Sequence, residues 1–422
     1  MNISIIGAGY VGLVSGVGFA LKGHKVTCID KDAKKVESIN SGKSPIYEAG
    51  LEEALKKTVP KKLNATTDLS KGLNESRVFF VCVGTPCNER GECHLEIIKD
   101  VAKSVGERLK RKNSFPIVVI KSTVPPSTTQ KSIVPLLEST SGKKAGRDFG
   151  VCVNPEFLKE GVALEDFMNP DRIVCGVSDK KTENVMKELY KGFNSPLFFT
   201  GFSEAEMIKY ASNCFLATKI SFINEIGNLC KKLGINTFKV SEGIGLDKRI
   251  SPHFLKPGIG FGGSCFPKDL SALIYQFRSL GISPHLLEGV AKVNKEQPKK
   301  IVEIAKSKTE LKGKKVGVLG LAFKPGTDDV RDSRSIQVIE ELQKEGAELL
   351  LHDPKAEGNM KKLFPNSEFA DSAQKLVDAS DIIFILTEWP QFSKLKFGNK
   401  QVFDGRNTFR EKKPKKYEGV CW

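Results

Sequence analysis

The chain has 422 residues, 40% hydrophobic and 27% charged, the composition of a soluble globular protein with room for two or three domains. No apolar run approaches the ~20 residues of a membrane helix, and the opening MNISIIGAGY has neither the basic segment nor the cleavage site of a signal peptide, so a cytoplasmic protein with no membrane partner is expected. Sixty-six Lys and Arg against fifty Asp and Glu give a net charge of +16, which favours anionic partners. Zinc-finger spacing, an RNA-recognition aromatic signature and a long basic arm are all missing, so a phosphorylated small molecule is expected rather than nucleic acid. The scattered Lys pairs read mostly as solvated surface.

The apolar run Ile3 to Ile6 predicts a first strand, followed by Gly7-Ala8-Gly9-Tyr10-Val11-Gly12 and a helix to Lys22 that Gly23 closes. Lys25 to Asp30 is the second strand. In this setting G-x-G-x-x-G is a dinucleotide fingerprint. The first glycine makes the turn, the second lets a pyrophosphate approach the backbone amides, and the third permits close helix–strand packing. Asp30 stands where an acid binds the ribose hydroxyls and favours NAD over NADP, with Lys31 and Lys35 weighing the other way. Further β-rich runs at 77–86, 116–126 and 149–157, with helices between, predict a parallel, doubly wound sheet.

Ligands gather at the carboxyl ends of such strands. There the sequence places Thr85 in VGTP and Ser122 and Thr123 in KSTVPPSTT, hydroxyls that serve either a ligand or turn capping. NPEFLKEG carries Glu156 and Glu160, which share a face if the turn is helical; Glu156 is a candidate base toward water or one of a surface acid pair. The ten cysteines are no disulfide scaffold: Cys28, Cys82, Cys152, Cys175 and Cys214 sit in apolar surroundings and read as reduced core thiols. Cys82, Cys87, Cys93 and His94 cluster without the paired short spacings of a zinc site, so no metal is expected.

From Ser203 about thirty residues run without proline, one long helix ending at Gly234 and able to serve as a dimer core. On it Lys209 and Asn213, four apart, offer two donors to a developing oxyanion, or are a snorkelling lysine beside a capped amide. In GFGGSCFPKDL, Cys265 lies between glycines and a Pro-Lys-Asp turn, either a reactive thiol or a small buried hydrophobe. After Lys312 the strand–helix alternation restarts at KKVGVLGL, and its first turn, GLAFKPG, lacks the dinucleotide spacing, so another ligand is expected there. The expected division is 1–200, 201–300 and 301–422, two doubly wound domains joined by the long helix. The end, REKKPKKYEGVCW, reads as basic and mobile.

A hydride acceptor and a glycine-flanked cysteine together suit oxidation of an alcohol past the aldehyde. A thiohemiacetal gives up a second hydride to become a thioester, and water releases the acid.

GAGYVG, VGTP, KSTVPP, NPEFLKEGVALEDFMNPDRIV, EMIKYASNCFLATKISFINEI, GLDKRI, FLKPGIGFGGSCFPKDL, AFKPGTDDVRDS and DGRN resemble, nearly end to end, the UDP-glucose/GDP-mannose 6-dehydrogenase family. The resemblance implies two Rossmann-like domains, a dimer or higher homo-oligomer built on the long helix, NAD as cofactor and a nucleotide sugar as substrate. It implies Cys265 as the thiol, Lys209 and Asn213 as the oxyanion pair, Thr123 and Asp269 as holders of a water, and Glu156 as an aid to thioester hydrolysis. For NAD it implies Gly7, Gly9, Tyr10, Val11, Gly12, Asp30, Lys35, Thr85, Ser122, Thr123, Glu160, Lys268 and Arg331. For the sugar nucleotide it implies Glu156, Phe157, Leu158, Lys159, Lys209, Asn213, Arg249, Phe254, Leu255, Lys256, Gly262, Phe323, Lys324 and Arg406. GLDKRI and GIGFGGSCFPKD favour the UDP-glucose branch over the GDP-mannose one, and Ser264 replaces the histidine of the branch that takes N-acetylated sugars. Ser127 stands where the family often has glycine.

Overall fold

The computed structural model describes residues 1–112, 114–409 and 412–422. The chain separates into two units, Met1–Ala211 and Ser212–Trp422, and the division falls within one continuous helix, Phe202–Leu233.

The first unit is built on eight strands: β1 (Asn2–Ile6), β2 (Lys25–Ile29), β3 (Leu63–Thr66), β4 (Val78–Val81), β5 (Ile117–Ile120), β6 (Gly150–Val153), β7 (Ile173–Val177) and β8 (Leu197–Thr200). Their order is β3-β2-β1-β4-β5-β6-β7-β8. Every pair is parallel except β6–β7, which is antiparallel. VFFV, IVVI and GVCV are buried at every position, as strands covered on both faces must be. On one face Phe19 packs against Phe80 and Phe167 at ring separations of 5.0 Å. The switch in strand order at β1 and β4 leaves the crevice where doubly wound sheets bind ligands.

The second unit carries six strands: β9 (Lys315–Leu319), β10 (Glu348–His352), β11 (Glu368–Phe369), β12 (Ile382–Ile385), β13 (Gln401–Asp404) and β14 (Lys416–Gly419). They form one parallel sheet in the order β11-β10-β9-β12-β13-β14. Phe384 and Phe403 stack at 5.1 Å in its core.

Two sequence readings change. The sheet of the first unit extends through β7 and β8, beyond the runs anticipated. The basic end is not mobile: β14 pairs with β13, Val420 and Cys421 are buried, and Trp422 packs edge-on against Phe238 at 5.0 Å. Its indole N–H donates to the Tyr417 hydroxyl at 2.9 Å. The lysines of KKPKK masked a short strand whose apolar residues come only after them; Arg410 and Glu411, part of the same reading, lie outside the described residues. Trp422→Ala removes this closing contact, and a loss of roughly 3 kcal/mol is expected by denaturant titration.

Candidate active site

The turn after β1 is shaped by close approach. Gly7 adopts φ 94°, and a Cβ on Gly12 would lie 1.8 Å from the Gly7 carbonyl oxygen. Gly9 differs, since a Cβ there would meet only open space. The helix Tyr10–Leu21 begins at Gly9 without a side-chain cap, so its first amides face that space. Asp30 accepts from the Ala8 amide at 2.8 Å and from the Asp32 amide at 3.0 Å, which fixes its carboxylate beside the turn with lone pairs left for ribose hydroxyls. These residues fit a dinucleotide.

The first turn of the second unit does not offer the same cradle. The helix Arg334–Lys344 is capped by the Ser333 hydroxyl, and Asp353 occupies the amides of Leu321 and Ala322 at 2.7 and 3.1 Å. Asp353, not singled out from sequence, ends β10 much as Asp30 ends β2. HDP after an apolar run was its signal.

Around the dinucleotide turn the expected residues are held mainly by backbone. The Thr85 hydroxyl donates to the Thr123 carbonyl at 2.6 Å, and Ser122 to the Val83 carbonyl at 2.7 Å, so both tie the loops after β4 and β5 together. Lys35 is half-buried in the helix Ala33–Asn40. Val11 is half-buried, and the Tyr10 hydroxyl accepts from the Gly161 amide at 2.8 Å. Glu48, missed in the sequence because nothing in its local pattern marks it, accepts from Gly161 and Ala163, both at 2.7 Å. Ser127 adopts φ 73°, the left-handed region that explains a glycine preference, and its hydroxyl meets that of Ser203 at 3.2 Å.

Glu156 and Glu160 do not share a helical face, because residues 154–159 are irregular. Pro155 disfavours a helical Asn154, and the Glu156 carboxylate accepts the Leu158 amide at 2.6 Å in a local turn. The other Glu156 oxygen meets the Lys209 ammonium at 2.8 Å, with both residues buried. Burial pushes the Glu156 carboxyl up, but the Lys209 charge and hydrogen bond, the Leu158 amide and Lys121 outweigh it and hold it below the usual range. Phe157 packs beneath the Arg172 guanidinium at 4.0 Å. Leu158 and Glu160 are half-buried, and exposed Lys159 pairs with Asp166 at 3.0 Å.

Cys87 and Cys93 are bonded to each other, a pairing that the sequence reading, which expected neither a disulfide scaffold nor a metal site, did not anticipate. The turn in NERGE, with the Asn88 amide donating to the Glu92 carbonyl at 2.9 Å, folds them face to face. No cluster suited to a metal exists among the described residues.

In the second unit Cys265 caps the helix Phe266–Ser279, with Pro267 in its first turn. It is the one free cysteine that is not buried among the described residues. The Ser264 hydroxyl lies 3.5 Å from its sulfur. A Cβ on Gly262 would meet the Asp332 carbonyl oxygen at 2.2 Å, and one on Gly263, at φ 85°, the Phe323 ring at 2.7 Å. The glycines before the thiol therefore admit the AFKPG loop. Asp269, 1% exposed, accepts from Asn213 and from Lys268, each at 2.6 Å. Arg406 donates to the carbonyls of Gly260 and Leu386 at 2.9 and 3.1 Å. Leu255 is buried, Phe254 (φ 63°) and Lys324 are half-buried, and Lys256 is exposed. Arg249 and Arg331 are exposed and pair with Asp247 and Asp329, both at 2.6 Å. A separate cavity of about 610 Å³, lined by Lys231, Phe238, Lys308 and Trp422 among others, contains none of the expected site residues.

Removing one member of a buried ion pair strands the other. Glu156→Ala is expected to lose roughly 3–5 kcal/mol in denaturant titration because Lys209 keeps its charge without its partner. The Glu156 carboxyl is lowered on folding, so its contribution is complete above the ordinary glutamate range and is lost as pH falls below it, which thermal melts from pH 7 to 3 will show.

The chain matches three models of the UDP-glucose/GDP-mannose dehydrogenase family: the NAD binding domain over residues 1–194, the central domain over 203–296 and the UDP binding domain over 317–411. It is 42% identical to the UDP-glucose 6-dehydrogenase AglM of Haloferax volcanii, with 100% of each chain covered. A UDP-glucose dehydrogenase structure from Pyrobaculum islandicum superposes with a TM-score of 0.95 at 42% identity, covering 100% of this chain and 98% of that one. A GDP-mannose dehydrogenase ternary complex from Pseudomonas aeruginosa gives a TM-score of 0.59 at 36% identity, covering 100% of both chains. With a dinucleotide turn that fits its cofactor and all three domain models in order, this chain belongs to the UDP-glucose/GDP-mannose dehydrogenase family and uses NAD.

Proposed function

We propose that this enzyme oxidises UDP-glucose to UDP-glucuronate in two successive steps, with residues 1–200 binding NAD, 201–300 carrying the thiol and the subunit contact, and 301–422 holding the nucleotide sugar. The observation that carries the reading is Cys265, the one cysteine among the described residues that is neither buried nor disulfide-bonded, at a helix start one turn before a buried carboxylate with two donors. NAD, when bound, supplies the hydride acceptor, two equivalents for each alcohol carried to the acid. In the first step the alcohol oxygen loses its proton to a water held by Asp269 and Thr123, and the carbon bearing that oxygen loses a hydride to give the aldehyde. The Cys265 sulfur then adds to the aldehyde carbon, forming a thiohemiacetal whose oxygen Lys209 and Asn213 stabilise. Loss of the second hydride leaves a thioester. Water assisted by Glu156 cleaves the C–S bond, giving the carboxylate and returning the thiol.

GDP-mannose remains the rival substrate, and a two-electron hydroxyacid or polyol dehydrogenase is the simpler rival. The latter leaves the thiol and the second domain without work. Two NADH per UDP-glucose, with little from GDP-mannose, is expected when both are assayed side by side. Cys265→Ala is expected to cut acid formation by at least roughly 10³-fold. One NADH per sugar, or an alanine variant as fast as the parent, overturns the thioester route.

The enzyme acts, on this reading, as a cytoplasmic homodimer or higher homo-oligomer. Among the described residues, no helix is long and apolar enough to cross a membrane. Phe215, Phe222, Leu229 and Leu233 are exposed on the long helix at spacings of seven, seven and four, a stripe suited to a second copy. Phe222→Glu is expected to shift the sedimentation coefficient toward that of a monomer.

A further inference from the structure

Glu206 lies in the second turn of the long helix and is 2% exposed. One carboxylate oxygen accepts the Thr129 amide at 2.8 Å. The other is buried and has no hydrogen-bond partner among the described residues. The segment it grips is irregular: Ser127 is left-handed, and Thr129–Ile133 is a π-helical turn, a form that persists where a local requirement outweighs its cost. Directly before this segment come Ser122 and Thr123. Burial raises the Glu206 carboxyl to about 7, with donors of residues 127–129 opposing the rise. No charged side chain contributes to that shift. Of the charged residues nearby in sequence, Glu204 is on the same helix, Lys209 is occupied by Glu156 at 2.8 Å, and Lys131 on the gripped segment is exposed.

An acid whose carboxyl is raised on folding lowers stability as pH climbs from the ordinary glutamate value toward the folded one. Glutamine would keep the shape and one acceptor without that loss. A residue present only for packing therefore gains nothing from being an acid. We propose that Glu206 is a positioning residue for the oxidation: its ionised carboxylate, through the Thr129 amide, holds the loop bearing Ser122 and Thr123 in the arrangement the reaction needs. Charge-assisted bonds to amides are roughly twice as strong as neutral ones, so protonation weakens the grip on this segment. The inference rests on the roles proposed above for Ser122 and Thr123.

The test compares the parent with Glu206→Gln from pH 6 to 9. The parent-to-variant ratio of kcat/KM for NAD is expected to climb with pH through about 7 and to reach at least five-fold at pH 8, with NAD affinity by calorimetry falling in parallel. The variant is expected to melt a few degrees higher than the parent at pH 8 and at the same temperature at pH 5. Glu206→Asp, which keeps the charge but withdraws it from the amide, is expected to lose rate without gaining heat stability. A ratio that is flat with pH, or a glutamine variant that is less stable or fails to fold, overturns the proposal. A parent that binds NAD but does not turn over UDP-glucose sinks the functional reading instead; the calorimetric and melting comparisons then still decide the role of Glu206.

Discussion

Polar groups taken out of water must find partners, and the long helix Phe202–Leu233 is where this constraint acts most strongly. Glu206, Lys209 and Asn213 recur every three to four residues and are all buried. Each is answered by a different part of its own unit: the Thr129 amide, the Glu156 carboxylate and the Asp269 carboxylate. An ammonium in that position without Glu156 would carry a desolvation cost that no packing recovers. The stripe thus joins the long helix to NPEF, VPPSTT and CFPKD, where its partners lie.

The same pairs fix the electrostatics of the candidate site. The Lys209 charge and the Leu158 amide hold the Glu156 carboxyl below its usual range in a place where burial alone would raise it. Asn213 and Lys268 donate to the buried Asp269 carboxylate on the helix that Cys265 begins, and Cys265 is the one cysteine among the described residues that is neither buried nor disulfide-bonded. Glu206 is the exception. It is a buried acid met by donors of residues 127–129 rather than by a cation.

Several sequence motifs announced themselves because close contact leaves few residue choices. Gly7 and Gly12 were legible as a dinucleotide turn since only glycine tolerates those approaches, and Gly262 and Gly263 were legible as glycines but not as the seat of Phe323. The partner lay some sixty residues away, beyond the reach of any spacing rule. Glu48 was missed for the same reason, since a carboxylate that caps a distant backbone segment has no local pattern. The closing strand β14 was hidden by lysines that ordinarily mark a solvated tail, and the Cys87–Cys93 bond by a turn whose residues, NERGE, carry only a weak signal.

By itself the sequence determined the alternation of strands and helices, the length of the long helix, the cofactor turn and the family. All of these depend on periodicity, on glycine or on motifs contiguous in the chain. Tertiary structure alone decided which charges are paired. It converted Glu156 and Glu160 from an imagined helical pair into one buried ion-pair member and one half-buried neighbour. It also turned the hydroxyls of Thr85 and Ser122 toward backbone carbonyls, and it left Cys265 accessible while the other free thiols are buried. Burial and pairing are properties of space between segments far apart in the chain, and no local pattern encodes them.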